Sequence, residues 1–215
     1  MELQLSLDTE ELLELERRFG VTPHERHTFT VHHPFLSGQH LWLTSNGRRA
    51  EICYVMHQGS PADGVLLHIK TVYPENAYRL PTGGIQQGEA VLDTLTREIY
   101  EETGLVVGTE ANQVQLQRFL GITSYEMYHV EEARTHRFAT YHFLVQKPLD
   151  AILDPQDEDE MLLDWRWVTP GQLNEVANVL EKVGERSSHW ADWGKFRAIS
   201  QRFVAAQLAN LSMDK

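Results

Sequence analysis

Residues 80–105 read LPTGGIQQGEAVLDTLTREIYEETGL, and the second half of this stretch has helical periodicity. At ~100° per residue from Val91, Leu95 falls near ~40°, Ile99 near ~80° and Leu92 near ~100°, which makes one apolar stripe. The pattern predicts a helix over 90–102, stopped by Gly104. On the same wheel Glu98 falls near ~340°, Glu102 near ~20° and Glu101 near ~280°. The carboxylates therefore lie beside the apolar seam, with Glu98 and Glu102 one turn apart. Like charges at that spacing cost roughly 0.2–0.5 kcal/mol per pair on an exposed helix, and more when partly buried. Taken alone, such a cluster is also what a solvated acidic face looks like. A hard divalent cation gives it a purpose, because Mg²⁺ or Mn²⁺ prefers carboxylate oxygens. The loop ahead, PTGGIQQG, can bring backbone close to a ligand, since glycine has no side chain and tolerates positive φ. Together they predict a cation platform suited to polyphosphate.

Working outward, the chain alternates strand and helix patterns. DTEELLELERRF (8–19) predicts a short helix capped by Asp8, with Glu11 three residues later. Residues 27–36 and 40–44 are β-rich, and Asn46-Gly47 signals a turn. Strands are predicted over 49–57, 65–72, 114–124, 137–146 and 165–168, with 74–89 as loop. Helices are predicted over about 170–183 and 189–210, the second with Trp190, Trp193 and Phe196 as packing residues or, alternatively, a base-stacking platform. Strands first with helices interleaved give an α/β or α+β class.

Composition excludes several functions. The 215 residues carry a net charge of −12, which lacks the electrostatic footprint of a nucleic-acid binder. No apolar run approaches a membrane span, and the acidic start predicts no secretory signal. Cys53 is the single cysteine, so an intrachain disulfide is impossible and a reducing, cytoplasmic setting is expected. The eleven histidines show no H-x3-H spacing and read as surface or packing residues.

The residues carry a family resemblance. Gly83, Glu89 after five residues, Arg97-Glu98-Ile99 after seven more, Glu101-Glu102 and Gly104-Leu105 match the Nudix box, G-x5-E-x7-R-E-U-x-E-E-x-G-U. The chain therefore resembles a Nudix hydrolase tightly over 83–105 and loosely over 46–170. Thr82 and Gln86 depart from a common version of the loop without touching a fixed position. The resemblance implies an α/β/α sandwich with a mixed sheet and terminal helical additions. The hydrolase domain is then expected over 46–170; the amphipathic patterns outside it predict an N-terminal segment 1–45 (a cap or a dimer contact) and C-terminal helices 171–215 on the same domain.

It also implies an activity: divalent-metal-dependent hydrolysis of a pyrophosphate bond in a nucleoside diphosphate linked to another group. Glu98 and Glu102 would lead the metal ligands, with Glu101 as a further ligand or a base. The Thr82 carbonyl would add a metal contact, Glu89 would support the site, and Arg97 would orient the glutamates. An extra carboxylate from outside the box is often used, and Glu160 is the first choice, with Glu158 close behind. Arg79 and Lys70 flank the loop and are read as phosphate contacts or ordinary surface charge. Gly83 and Gly84 would admit the substrate. Tyr73, Tyr78 and Trp42 either line a nucleobase pocket or serve the core. The competing function is a nucleotide-sensing module without turnover. Prenyl diphosphate isomerisation is a third reading, weakened because Cys53 stands in the wrong context.

Overall fold

The computed structural model describes residues 7–32, 43, 47–157 and 161–213. The expected strand at 40–44, apart from Leu43, and the Asn46 end of the turn lie outside the described residues, as do Trp42, Glu158 and Glu160.

The strand AEICYVMHQ, β2 (Ala50–Gln58), organises the molecule. It is buried on both faces, and period-two alternation splits it. Ile52, Tyr54 and Met56 enter one core, while Cys53 and Val55 enter the other. β2 pairs in parallel with β6 (Arg134–Lys147). β6 forms an antiparallel hairpin with β5 (Gln115–His129), and β1 (His24–Val31) lies parallel along β5 as the outer strand. On its other side β2 meets two partners in succession. Its first half pairs with β4 (Thr82–Ile85), and its end, at His57, pairs with β3 (Val65–Lys70). β7 (Leu162–Val168) closes that edge against β3. The result is a mixed sheet in the order β1-β5-β6-β2-β3-β7, with β4 beside β2.

Helices cover both faces, which gives the α/β/α sandwich. On one side α2 (Val91–Thr103) buries Val91, Leu95 and Ile99 against Ile52, Leu66, Phe119 and Tyr141. The helix α1 (Thr9–Phe19) joins the same core through Leu15, capped by Asp8, which accepts from the N–H groups of Glu10 and Glu11. On the other side the long helix α5 (Ala191–Met213) places Phe203, Val204 and Leu208 against Val55, Leu67 and Leu144. The helices α3 (Leu173–Glu181) and α4 (Val183–Arg186) pack beside it, with Trp193 and Phe196 buried between α3 and the β5–β6 hairpin.

Several strands differ from the sequence-based expectation. The stretch 74–89 is not all loop, because Thr82–Ile85 pairs as β4. Glycine is depleted in strands and masks the element, which exists only because β2 offers an edge. The β5–β6 hairpin runs well beyond the expected 124 and 137, to a turn at 130–133 where Ala133 takes φ 47°. Its polar outer positions hide the alternation. β1 begins at His24 rather than 27, in polar residues whose partner is β5.

Candidate active site

The Gly-rich loop and α2 meet where the sequence places them, and packing supplies the reason for the glycines. Gly83 and Gly84 are buried in β4. A Cβ on Gly83 would stand 2.0 Å from Glu98 Cδ, so the absent side chain lets the Glu98 carboxyl lie against the β4 backbone. A Cβ on Gly84 would stand 2.1 Å from Arg48 Nε on the opposite face. Positive φ, the other expected use of glycine, occurs in this loop only at Gly88, at 79°. The end of α2 is tight as well. Gly104 takes φ 71°, and a Cβ there would be 2.4 Å from the Asp154 carbonyl oxygen.

Around Arg97 three carboxylates converge. Its Nε donates to Glu89 Oε1 at 2.8 Å, and its Nη1 donates to Glu98 Oε1 and Glu101 Oε2, both at 2.8 Å. Nη2 reaches Glu89 Oε2 at 3.1 Å and the Gly84 carbonyl at 3.2 Å. Arg97 therefore orients the glutamates and also ties them to β4. Partial burial raises the Glu89 carboxyl, but hydrogen bonds from Arg97 and the Gln86 N–H outweigh it and hold it below the usual value.

Glu102, fully buried, faces inward to the sheet. Tyr54 of β2 donates its hydroxyl to Glu102 Oε2 at 2.6 Å. Lys70 Nζ lies 3.5 Å from Oε1, and His68 Nδ1 lies 3.7 Å from it. His68 is itself buried, with its ring 5.7 Å from that of Trp165. Burial above all, helped by Arg79 and Lys70, keeps the imidazole neutral by holding its pKa well down.

Arg79 is not the surface cation that its place beside the loop suggests. It is 2% exposed, because it pairs with His68 in an isolated β-bridge and turns inward. Its guanidinium donates to the Leu80 carbonyl and Thr82 Oγ1, both at 2.9 Å, and to the Tyr73 hydroxyl at 2.8 Å. It braces the loop from behind. Tyr73 packs on Trp193 at 4.9 Å, and Tyr78 donates to Asp164 beneath Arg166, so both serve the framework. Cys53 is buried, and desolvation, then the Glu51 charge, raises its thiol pKa, which keeps it protonated.

The acidic stretch after β6 crosses the end of α2. The N–H of Asp154 binds the Thr103 carbonyl at 2.9 Å, and the N–H of Gln156 binds the Glu101 carbonyl at 2.8 Å. Just ahead of β7, the Met161 carbonyl accepts from Thr71 N–H at 2.9 Å.

As they stand, no three His, Cys, Asp or Glu side chains among the described residues are arranged to enclose an ion. The donor chemistry nonetheless fits a hard cation. Within the Arg97 cluster one guanidinium offsets one of three carboxylate charges, and every donor is oxygen. Sequence reasoning missed Tyr54 and His68, which meet Glu102, and Arg49, which donates to the Glu89 carbonyl. Period two puts Tyr54 on the α2 face, but only the packing names Glu102 as its partner.

The sequence model of the NUDIX domain matches residues 47–193. The chain belongs to the Nudix family. An RNA pyrophosphohydrolase from Bartonella clarridgeiae is 27% identical over 113 residues, which cover 49% of this chain and 64% of that protein. The chain thus spans less than two thirds of that relative's length. Among solved Nudix structures, the E. coli dihydroneopterin triphosphate pyrophosphohydrolase is 17% identical, with a TM-score of 0.42 over 67% of this chain and 93% of that one. The Bacillus halodurans MutT protein is 22% identical, with a TM-score of 0.41 over 59% of this chain and 72% of that one.

Proposed function

We propose that this Nudix protein is a Mg²⁺- or Mn²⁺-dependent pyrophosphohydrolase acting on a nucleoside diphosphate linked to another group, by water attack at phosphorus. The observation that carries the reading is the convergence of Glu89, Glu98 and Glu101 on Arg97, with Glu98 seated against Gly83. Glu98 and Glu102 would hold the ion with Glu101, and the Thr82 carbonyl would complete the set. When bound, the ion supplies charge neutralisation on the diphosphate and lowers the pKa of a water. The chain's own residues do the rest. Arg97 fixes the glutamates, Glu89 anchors Arg97, and Tyr54 orients Glu102. Arg79 holds the Leu80 carbonyl and the Thr82 side chain in place, and Lys70, beside Glu102, would meet a phosphate oxygen. Glu101, with 30% of its side chain exposed, would serve as a base assisting water.

The name of the Bartonella relative makes RNA a candidate substrate. A net charge of −12 favours a small nucleotide, because polynucleotide binding draws on a field of Lys and Arg. A protonated Cys53 gives no support to isomerase chemistry. A cytoplasmic setting accords with the single buried cysteine, and no helix among the described residues is long and apolar enough to cross a membrane.

The test is product release with Mg²⁺ from a panel of ADP-ribose, nucleoside triphosphates, dinucleoside polyphosphates, NADH, nucleotide sugars and 5′-triphosphorylated RNA. Turnover that is lost in Glu98→Gln supports the reading. Binding without product at any metal concentration overturns it in favour of a sensing module.

A further inference from the structure

Helix α2 lacks a cap of its own. Its N-cap position is Ala90, whose side chain makes no capping hydrogen bond. The missing acceptor comes from Glu11 on α1, eighty positions earlier, whose Oε1 takes the Val91 N–H at 2.7 Å. The other oxygen, Oε2, pairs with Arg49 Nη2 at 2.7 Å. That same Nη2 donates to the Glu89 carbonyl at 3.1 Å. One carboxylate therefore satisfies a first-turn N–H of α2, sits at the positive end of its dipole, and holds Arg49 against the residue that anchors Arg97. The ion pair is mostly buried, with side-chain exposures of 11% for Arg49 and 18% for Glu11.

We infer that Glu11 is a positioning residue for the proposed cation site. It lies outside the 47–193 family match, so α1 is a working part of the site rather than an appendage. The line of contact is continuous. Glu11 and Arg49 set the Glu89 backbone, the Glu89 carboxylate sets Arg97, and Arg97 sets Glu98 and Glu101. The inference rests on the site reading proposed above.

Ala90 offers a control that separates helix capping from positioning. It is exposed and has extended backbone, φ −77° and ψ 148°, which is the conformation of an N-cap. A serine there can accept from the N–H groups of Leu92 or Asp93, which supports the helix end but leaves the Arg49–Glu89 contact unrestored. The full chain, Glu11→Ala, Ala90→Ser and the double variant are compared by binding of Mn²⁺ alone, read by electron paramagnetic resonance, and by amide exchange at Val91. Glu11→Ala is expected to weaken Mn²⁺ binding about tenfold and to speed Val91 exchange, with an unchanged far-UV spectrum. Ala90→Ser in that background is expected to leave Mn²⁺ affinity low. Unaltered Mn²⁺ affinity in Glu11→Ala overturns the inference, and so does a loss that Ala90→Ser fully repairs, which makes Glu11 a helix cap alone. Absence of Mn²⁺ binding by the parent chain overturns the site reading and the positioning role with it, while Val91 exchange still separates capping by Glu11 from no capping.

Discussion

The two faces of β2 treat acids in opposite ways. On the α5 face Glu51, 4% exposed, is matched by partners. Arg197 Nη1 donates to its two oxygens at 2.7 and 2.9 Å, and Thr140 donates to Oε1 at 2.9 Å. On the α2 face Arg97 is shared among Glu89, Glu98 and Glu101. One carboxylate with one guanidinium makes a closed ion pair that docks a helix. Three carboxylates on one guanidinium are what the proposed cation site would draw on. The contrast separates an acid that holds the fold from acids that, on the proposed reading, would meet a ligand.

The strongest way to break this contrast is Glu98→Gln, which removes a donor while keeping the shape. Turnover with Mg²⁺ should fall on the order of a thousandfold, while the urea midpoint stays near that of the parent chain. Product assays and urea titration on one preparation check both halves. Glu51→Ala should do the reverse. It leaves Arg197 partly buried without its carboxylate and should cost about 3–5 kcal/mol in urea unfolding. A loss of stability from Glu98→Gln as large as that from Glu51→Ala would erase the distinction.

The α5 face also carries His142, buried with its ring 4.6 Å from that of Phe203. Burial holds its pKa down to about 3, so the folded chain keeps the ring neutral while the unfolded chain protonates it near the ordinary 6.5. The unfolded state then binds the extra proton, so this contribution is complete above about pH 6.5 and is lost as pH falls. Between pH 6.5 and 5 the slope from this residue approaches about 1.4 kcal/mol per pH unit. Denaturation at stepped pH should show it, and His142→Gln should flatten it. The smallest expected change is Glu101→Gln. Glu101 is about one-third exposed and shares its cation, so stability should stay within about 0.5 kcal/mol by thermal unfolding.

Much of the α2 face is legible in the order of residues alone. The wheel of residues 91–102 puts the acids beside the seam, and box spacing joins them to Gly83 and Glu89. The α5 face is not legible in that way. Nothing local marks Glu51 as the partner of Arg197, 146 residues away, and Glu51 reads as one more polar residue in a strand. Arg79 misleads for the same reason, since a charged residue beside a loop reads as exposed until a bridge to His68 turns it inward. Tyr73 and Tyr78 resolve to framework roles only once Trp193 and Asp164 arrive from distant segments.

By itself, the sequence determined the family, the acidic helix, its termination at Gly104 and the anionic character of the proposed site, because helical periodicity and motif spacing are properties of neighbouring residues. Only the tertiary structure decided that Thr82–Ile85 is a strand, that Gly83 is there to admit Glu98, and that Glu11 caps a helix eighty residues ahead. These depend on which edges and helix ends meet after the chain folds back on itself, and a buried N–H or carboxylate takes its partner from whatever segment the packing delivers.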